Sequence, residues 1–320
     1  MASRNLLATI PRPVYSGRIM KTRRVGFYAL ALWLGFFAAG AQIARADAAA
    51  STNRHSLWKA NGRHCTLYLL GSIHFLKPEN YPLPPEIERA FTNSQTVVFE
   101  TDIGIMEKPE AIMGKLMAKA MLPPGETLQG QLSPATYRSV SNYFAASGLP
   151  LEAFAQFKPG MVAMTIEAAE LKKLGFEADQ GLDVHFFRLA TQQHKTIVPL
   201  ETIDFQLDLF TELSKEEGEL FVKTTLDEIE TTRKELGDLV TAWGSGDAVG
   251  TEKVLNASMK DAPGLFKRLL TDRNVSWMPK LQELLAGDKN VIVIVGAGHL
   301  VGKEGVVELL RAKGVKMVQE

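Results

Sequence analysis

Hydrophobic positions along the chain fall into short continuous blocks rather than long alternations. Four blocks are rich in β-formers: Thr66–Leu70 (TLYLL), Thr96–Phe99 (TVVF), Thr196–Leu200 (TIVPL) and Asn290–Val295 (NVIVIV), with Val315–Val318 as a candidate fifth. A strand buried on both faces carries apolar residues at successive positions, so this pattern predicts a mostly parallel sheet covered on both sides. Pro199 has no N–H to give a sheet ladder, which predicts an edge or end position for its run.

Between these blocks the punctuation is helical. Helices are expected over Pro85–Asn93, Ile103–Met121, Ser133 to Gly148, Pro159–Leu174, Asp183–Gln193, Thr202–Trp243 (as one or two), Thr271–Leu285 and Gly302–Lys313. Ser133-Pro134 reads as an N-cap followed by proline at the first helical position, and Gly148, Gly175 and Gly314 suit helix ends. The helix-rich stretches at about 103–180 and 202–288 are too long for simple crossovers. The expected fold is therefore α/β: a small, mostly parallel sheet with large helical insertions. The site is expected at the C-terminal ends of the strands, where open α/β sheets bind ligands.

The N-terminus reads as an address. Lys21, Arg23 and Arg24 precede an uncharged apolar run from Val25 to Ala41, followed by Ala44-Arg45-Ala46. This is the order of a secretory signal peptide over residues 1–46, with a retained membrane anchor as the competitor. Met20 is a second candidate start. Either form predicts that residues 47–320 lie outside the cytoplasm, periplasmic or secreted, with membrane contact only through an uncleaved N-terminal segment.

Composition refines this picture. The chain has 36 basic and 36 acidic side chains, but residues 1–46 hold seven of the basic ones and no acid. The remainder is mildly acidic and lacks basic clusters, which argues against nucleic acid as a partner. The single cysteine, Cys65, excludes an intramolecular disulfide framework and an all-cysteine zinc site. There is no H-E-x-x-H, G-x-S-x-G or Walker loop, which counts against zincins, serine hydrolases and nucleotide phosphotransferases.

Each main strand run ends in a chemically capable residue. The first leads into Gly71-Ser72-Ile73-His74, the second into Glu100, the third into Glu201 and the fourth into Gly296-Ala297-Gly298-His299. The same G-x-x-H thus follows two strands more than two hundred residues apart, with Gly71 and Gly296 read as sharp turns that bring backbone close to a ligand. Two histidines plus a carboxylate suit a divalent metal that polarises a carbonyl and activates water. The residue types leave open which of Glu100 and Glu201 is ligand and which is base. Taken alone, Asp183 reads as a helix N-cap and Arg273-Asn274 as part of a helix whose arginine pairs with Asp272 or Glu283 on the surface.

The blocks LYLLGSIHFLKPENYPLPPEIERAF with VVFETD, GFEADQGLDVHFFRLATQQHKTIVPLET, LLTDRNVSWMPKL and VIVIVGAGHLVGKEGVVELLRAKGVKM resemble, in order, the signature blocks of the TraB/GumN family. That family includes the TIKI membrane-associated metalloproteases. The resemblance spans roughly residues 66–318 and departs at Ser72, where the family often has Thr. It implies an α/β fold with His74, Glu100 and His299 as the metal or catalytic set. Asp183, Glu201, Arg273 and Asn274 match further signature positions, as do Gly71 and Gly296. By the same likeness the cofactor is manganese or cobalt, with zinc an option, and the substrate a peptide or protein.

The resulting expectation is an extracytoplasmic metal-dependent hydrolase, most simply a peptidase. Glu201 would serve as base or second carboxylate, and Arg273 would bind a substrate carboxylate or oxyanion. The alternative is a non-enzymatic peptide- or glycan-binding or accessory protein of the bacterial envelope, connected with exopolysaccharide or pheromone.

Overall fold

A computed structural model describes residues 54–258 and 263–320; the expected signal segment at 1–46 lies outside them. Six strands form one sheet: β1 (Leu57–Asn61), β2 (Thr66–Ser72), β3 (Thr96–Phe99), β4 (Thr196–Pro199), β5 (Val291–Gly296) and β6 (Val318–Gln319). Their order is β4-β3-β5-β2-β1-β6. β4, β3, β5 and β2 are mutually parallel, and β1 runs antiparallel to both β2 and β6. The expected mixed fold with a mostly parallel sheet is observed. β1 had no counterpart among the expected strands. Its sequence, LWKAN, carries a lysine and an asparagine, which break the continuous apolar pattern that marks the parallel strands.

The continuous apolar runs are explained by layers on both faces. Tyr68, Leu70, Val97, Phe99, Ile292 and Ile294 point to one side and pack with Phe91, Leu182, Phe186 and Trp243. Leu67, Leu69, Val98, Val291, Val293 and Val295 point to the other and pack with Trp277, Leu281 and Leu310. Each fully buried Leu or Ile contributes about 1.5–3 kcal/mol by leaving water, so both faces specify the register. Pro199 lies in β4, the outer strand next to β3, as its missing N–H requires.

Thirteen α-helices surround the sheet among the described residues. α1 (Pro85–Thr92) links β2 to β3. Five helices lie between β3 and β4: α2 (Pro109–Ala120), α3 (Leu128–Gln131), α4 (Pro134–Ser147), α5 (Pro159–Lys173) and α6 (Leu182–Gln192). Six more precede β5: α7 (Ile203–Thr211), α8 (Lys215–Asp227), α9 (Ile229–Gly244), α10 (Ala248–Ser258), α11 (Pro263–Phe266) and α12 (Asp272–Ala286). α13 (Val306–Ala312) leads to β6.

The expected helix at 202–243 is three helices. Ser214 breaks the first junction by capping α8, its side chain accepting from Glu217 N while Glu217 bonds back to Ser214 N. Ser133 caps α4 as expected, and Gly148 closes that helix in the left-handed region. The two insertions are not separate lids. Phe144, Val162 and Ile166 from the first share one core with Phe221, Leu236 and Leu269 from the second.

That shared core sets a matched test. A Cβ on Gly160 of α5 would lie 2.1 Å from the Phe210 carbonyl oxygen, whereas one on Gly114 of α2 meets nothing within 4 Å. Gly160→Ala should destabilise by about 1–3 kcal/mol through overpacking. Gly114→Ala should stabilise by up to about 1 kcal/mol through helix propensity. Urea unfolding midpoints moving in opposite directions would support this packing; equal shifts would contradict it.

Candidate active site

Strand order sets out the site. Reading β4, β3, β5, β2 across the C-terminal edge gives Glu201, Glu100, His299 and His74, one strand spacing of about 4.8 Å after another. β5 lies between β3 and β2, so the last of the parallel strands in chain order brings the second G-x-x-H next to the first and next to Glu100. The four strand-end residues expected from the sequence therefore share one edge.

The glycines act differently from expectation. Neither Gly71 nor Gly296 has a positive φ. Gly71 is needed for space, since a Cβ there would sit 3.1 Å from Ala297 Cα on the neighbouring turn. Its carbonyl accepts the buried Trp243 indole N–H at 2.7 Å. A Cβ on Gly181 would lie 2.2 Å from the His74 carbonyl oxygen. A glycine there lets the first turn of α6 dock on the His74 loop, where Leu182 N donates to Ile73 O at 3.1 Å.

That docking corrects the reading of Asp183. Gly181 is the N-cap of α6, and Asp183 stands in the first turn, where the helix dipole favours a carboxylate. Its Oδ2 lies 2.6 Å from His74 Nδ1, and its Oδ1 accepts from Ser72 Oγ at 3.0 Å. His74 therefore carries its proton on Nδ1. Burial would lower the pKa of His74, but the charge and hydrogen bond of Asp183 outweigh it and hold the ring above its usual value. His74 Nε2 is buried and has no hydrogen-bond partner among the described residues.

For Arg273 the surface pair that its helix suggests is not formed, and the residue lies at the centre of the site, where the expected site role had put it. It is 1% exposed, while Asp272 pairs with Lys267 and Glu283 with Lys280. A π-helical turn, Lys267–Thr271, precedes α12 and leads directly into Arg273 and Asn274. Arg273 Nη2 donates to Glu100 Oε2 at 2.7 Å and to Glu201 Oε2 at 2.8 Å. Nε faces both Glu201 oxygens, at 2.9 and 3.1 Å. Nη1 donates to Leu269 O at 3.1 Å and lies 3.1 Å from His299 Nε2. All five guanidinium N–H groups are therefore placed within the protein. Desolvation alone would lower the pKa of Arg273, but the two carboxylates overcome it and keep the cation charged.

The remaining groups close the network. Glu100 Oε1 accepts from Gly296 N at 2.7 Å. Burial raises the pKa of Glu100, with Arg273 and His74 opposing. Glu201 also accepts from Trp277 Nε1 at 2.8 Å and Gln206 Nε2 at 3.2 Å. Asn274 Nδ2 donates to Glu304 O at 2.8 Å, which turns its Oδ1 towards His299 Nδ1 at 2.5 Å. His299 thus carries its proton on Nδ1 and accepts at Nε2. Burial and then Arg273 hold its pKa far below the usual value, so the ring is neutral.

Trp277 and Gln206 were not expected in the site. Trp277 packs against His299 with ring centroids 4.4 Å apart and the planes tilted by 43°. Its position four residues after Arg273 puts it on the same helix face, a signal legible once Arg273 is known to point inward. Gln206 gives no comparable signal. Cys65 opens β2 at the far end of that strand, and burial followed by Asp288 raises its thiol pKa, which suits a structural cysteine.

As folded, the donor atoms do not fit the metal that the family likeness implies. Glu100 Oε1 and His299 Nε2 lie 3.9 Å apart, near enough to share an ion. The Nε2 lone pair and Glu100 Oε2 are nevertheless both directed at the Arg273 guanidinium. Among the described residues no three His, Cys, Asp or Glu side chains are arranged to hold a metal. A cavity of about 340 Å³ adjoins the site behind Asn274 and Gly298, and its lining does not include His74 or Glu100.

The ion cluster gives a stability test. Removing one partner of a buried ion pair leaves an uncompensated charge and typically costs about 3–5 kcal/mol. Glu201→Ala should lose that much in chemical denaturation, since it strips partners from Arg273, Trp277 and Gln206 together. A loss below 1 kcal/mol would mean that the cluster is solvated in solution.

Residues 56–319 match the TraB/PrgY/gumN family. The chain is 26% identical over 269 residues to the uncharacterized protein YbaP of Escherichia coli (strain K12), covering 82% of this chain and 96% of that protein. It is 19% identical over 275 residues to an uncharacterized protein of Treponema pallidum (strain Nichols), covering 82% of each. No solved structure matches it. The family match begins one residue before β1 and ends within β6, so it takes in the whole sheet with every strand-end residue of the site, and the chain belongs to the TraB/PrgY/gumN family.

Proposed function

We propose that this protein is a hydrolase acting outside the cytoplasm on peptide or related acyl bonds, with His74 as the group that activates water. The observation that carries this reading is the state of the imidazole. Asp183 fixes Nδ1 at 2.6 Å, and Nε2 is buried without a hydrogen-bond partner. A buried polar atom without a partner calls for an explanation, and a catalytic role is one; here it coincides with an imidazole oriented by a carboxylate at the strand ends.

In this reading Nε2 takes a proton from water as that water attacks a carbonyl, Asp183 stabilises the imidazolium that forms, and Nε2 then gives the proton to the amine or alcohol that leaves as the acyl bond breaks. Ser72 holds the other Asp183 oxygen and so fixes the dyad. Glu201 and Arg273 are committed to each other and act as a brace, in place of the base and substrate anchor expected from the sequence.

A second reading is favoured by the closure of the Arg273 network. A site whose charged groups are paired with one another also suits a peptide- or glycan-binding protein without turnover. The two separate in one experiment, a broad screen of quenched peptides and acyl esters with the parent protein, His74→Gln and Asp183→Asn. Turnover by the parent, reduced about 10²–10⁴-fold in both variants with KM nearly unchanged, is the expected result. No turnover of any probe by the parent would overturn the hydrolase in favour of the binding protein.

A further inference from the structure

We propose that the Arg273 guanidinium is the resident cation of this site and fills the place that Glu100, Glu201 and His299 would otherwise give to a divalent metal. Three groups from three strand ends converge on it. Glu100 Oε2 lies 2.7 Å from Nη2, Glu201 Oε2 lies 2.8 Å from Nη2, and His299 Nε2 lies 3.1 Å from Nη1. Two carboxylates and a neutral imidazole lone pair are also the donor types that a borderline divalent ion takes. Glu100 and His299 are buried, the Glu201 side chain is 5% exposed, and the arginine is 1% exposed.

The geometry matches a guanidinium better than an ion. The donors are spread about 3 Å from the three nitrogens of a flat fork rather than around one point, and Glu201 meets it with both oxygens. A metal requires ligands at about 2 Å from a single point. A dication on the His299 lone pair would also stand against the guanidinium in a buried interior that screens charge poorly. His74 is outside this cluster, tied to Asp183 through its Nδ1. Arg273 is therefore a positioning residue. It holds Glu100, Glu201 and His299 in one arrangement and leaves His74 Nε2 free.

Taking the guanidinium away leaves two buried carboxylates and an unshared imidazole lone pair around a space, which are the elements of a metal site. The test is metal content by elemental analysis of the purified chain, loaded with manganese, cobalt or zinc and washed, alongside Arg273→Ala and Arg273→Lys. The parent and Arg273→Lys are expected to retain less than 0.1 equivalent. Arg273→Ala is expected to retain close to one equivalent, to gain thermal stability on loading, and to lose both on adding Glu201→Gln. Guanidinium chloride at millimolar concentration should compete with the metal in Arg273→Ala.

Near-stoichiometric metal in the parent, lost in His74→Ala and His299→Ala, would overturn the inference. So would a folded Arg273→Ala that binds no metal. If that variant does not fold, the parent's metal content and an unchanged melting temperature with chelator still decide the matter. Metal content is read without substrate, so this inference and the hydrolase reading fail separately.

Discussion

A single buried cation organises the C-terminal edge of the sheet. Arg273 links Glu100 at the end of β3, Glu201 beyond β4 and His299 beyond β5, and each bond crosses between segments far apart in sequence. The guanidinium suits this because it offers five donors in a rigid plane and stays charged when buried. Desolvating a charge is costly, and here the two carboxylates, the Leu269 carbonyl and the imidazole nitrogen offset that cost together. The face of the fork is covered as well, with the guanidinium carbon 5.1 Å from the Trp277 ring.

The helical insertions acquire a purpose from this. A four-stranded parallel core can present strand-end residues but cannot neutralise two adjacent carboxylates by itself. The second insertion brings α12 across the sheet face, with Trp277 and Leu281 in the hydrophobic layer and Arg273 at the edge. The first brings α6, whose first turn supplies Asp183 to His74. Each insertion therefore delivers one long-range polar partner to a different histidine neighbourhood, and their shared core fixes the two deliveries relative to each other. The two histidines end in opposite states: His74 is held above its usual pKa by Asp183, whereas His299 is held below by burial and Arg273.

Much of this was legible in the chain, for identifiable reasons. Runs such as NVIVIV and TVVF read as doubly buried strands because both faces of the sheet are covered. His74, Glu100, Glu201 and His299 were legible because each follows such a run directly or within a short turn. β1 escaped because an antiparallel strand near the sheet's end tolerates Lys59 and Asn61. Asp183 looked like a cap because capping and ligand-orienting carboxylates occupy the same helix-start positions. Arg273 looked like a surface residue because arginine is seldom fully buried, and its destination depends on partners 72 and 173 positions away.

The sequence by itself determined the local elements and which chemical groups stand at strand ends, because hydrophobic periodicity, caps and breakers act over a few residues. The tertiary structure decided the strand order that places β5 between β2 and β3, and with it the neighbours of His299. It also decided that a guanidinium sits among the carboxylates. Spacing along the chain identifies donor types, whereas hydrogen bonds and desolvation in the packed interior determine which cation they surround.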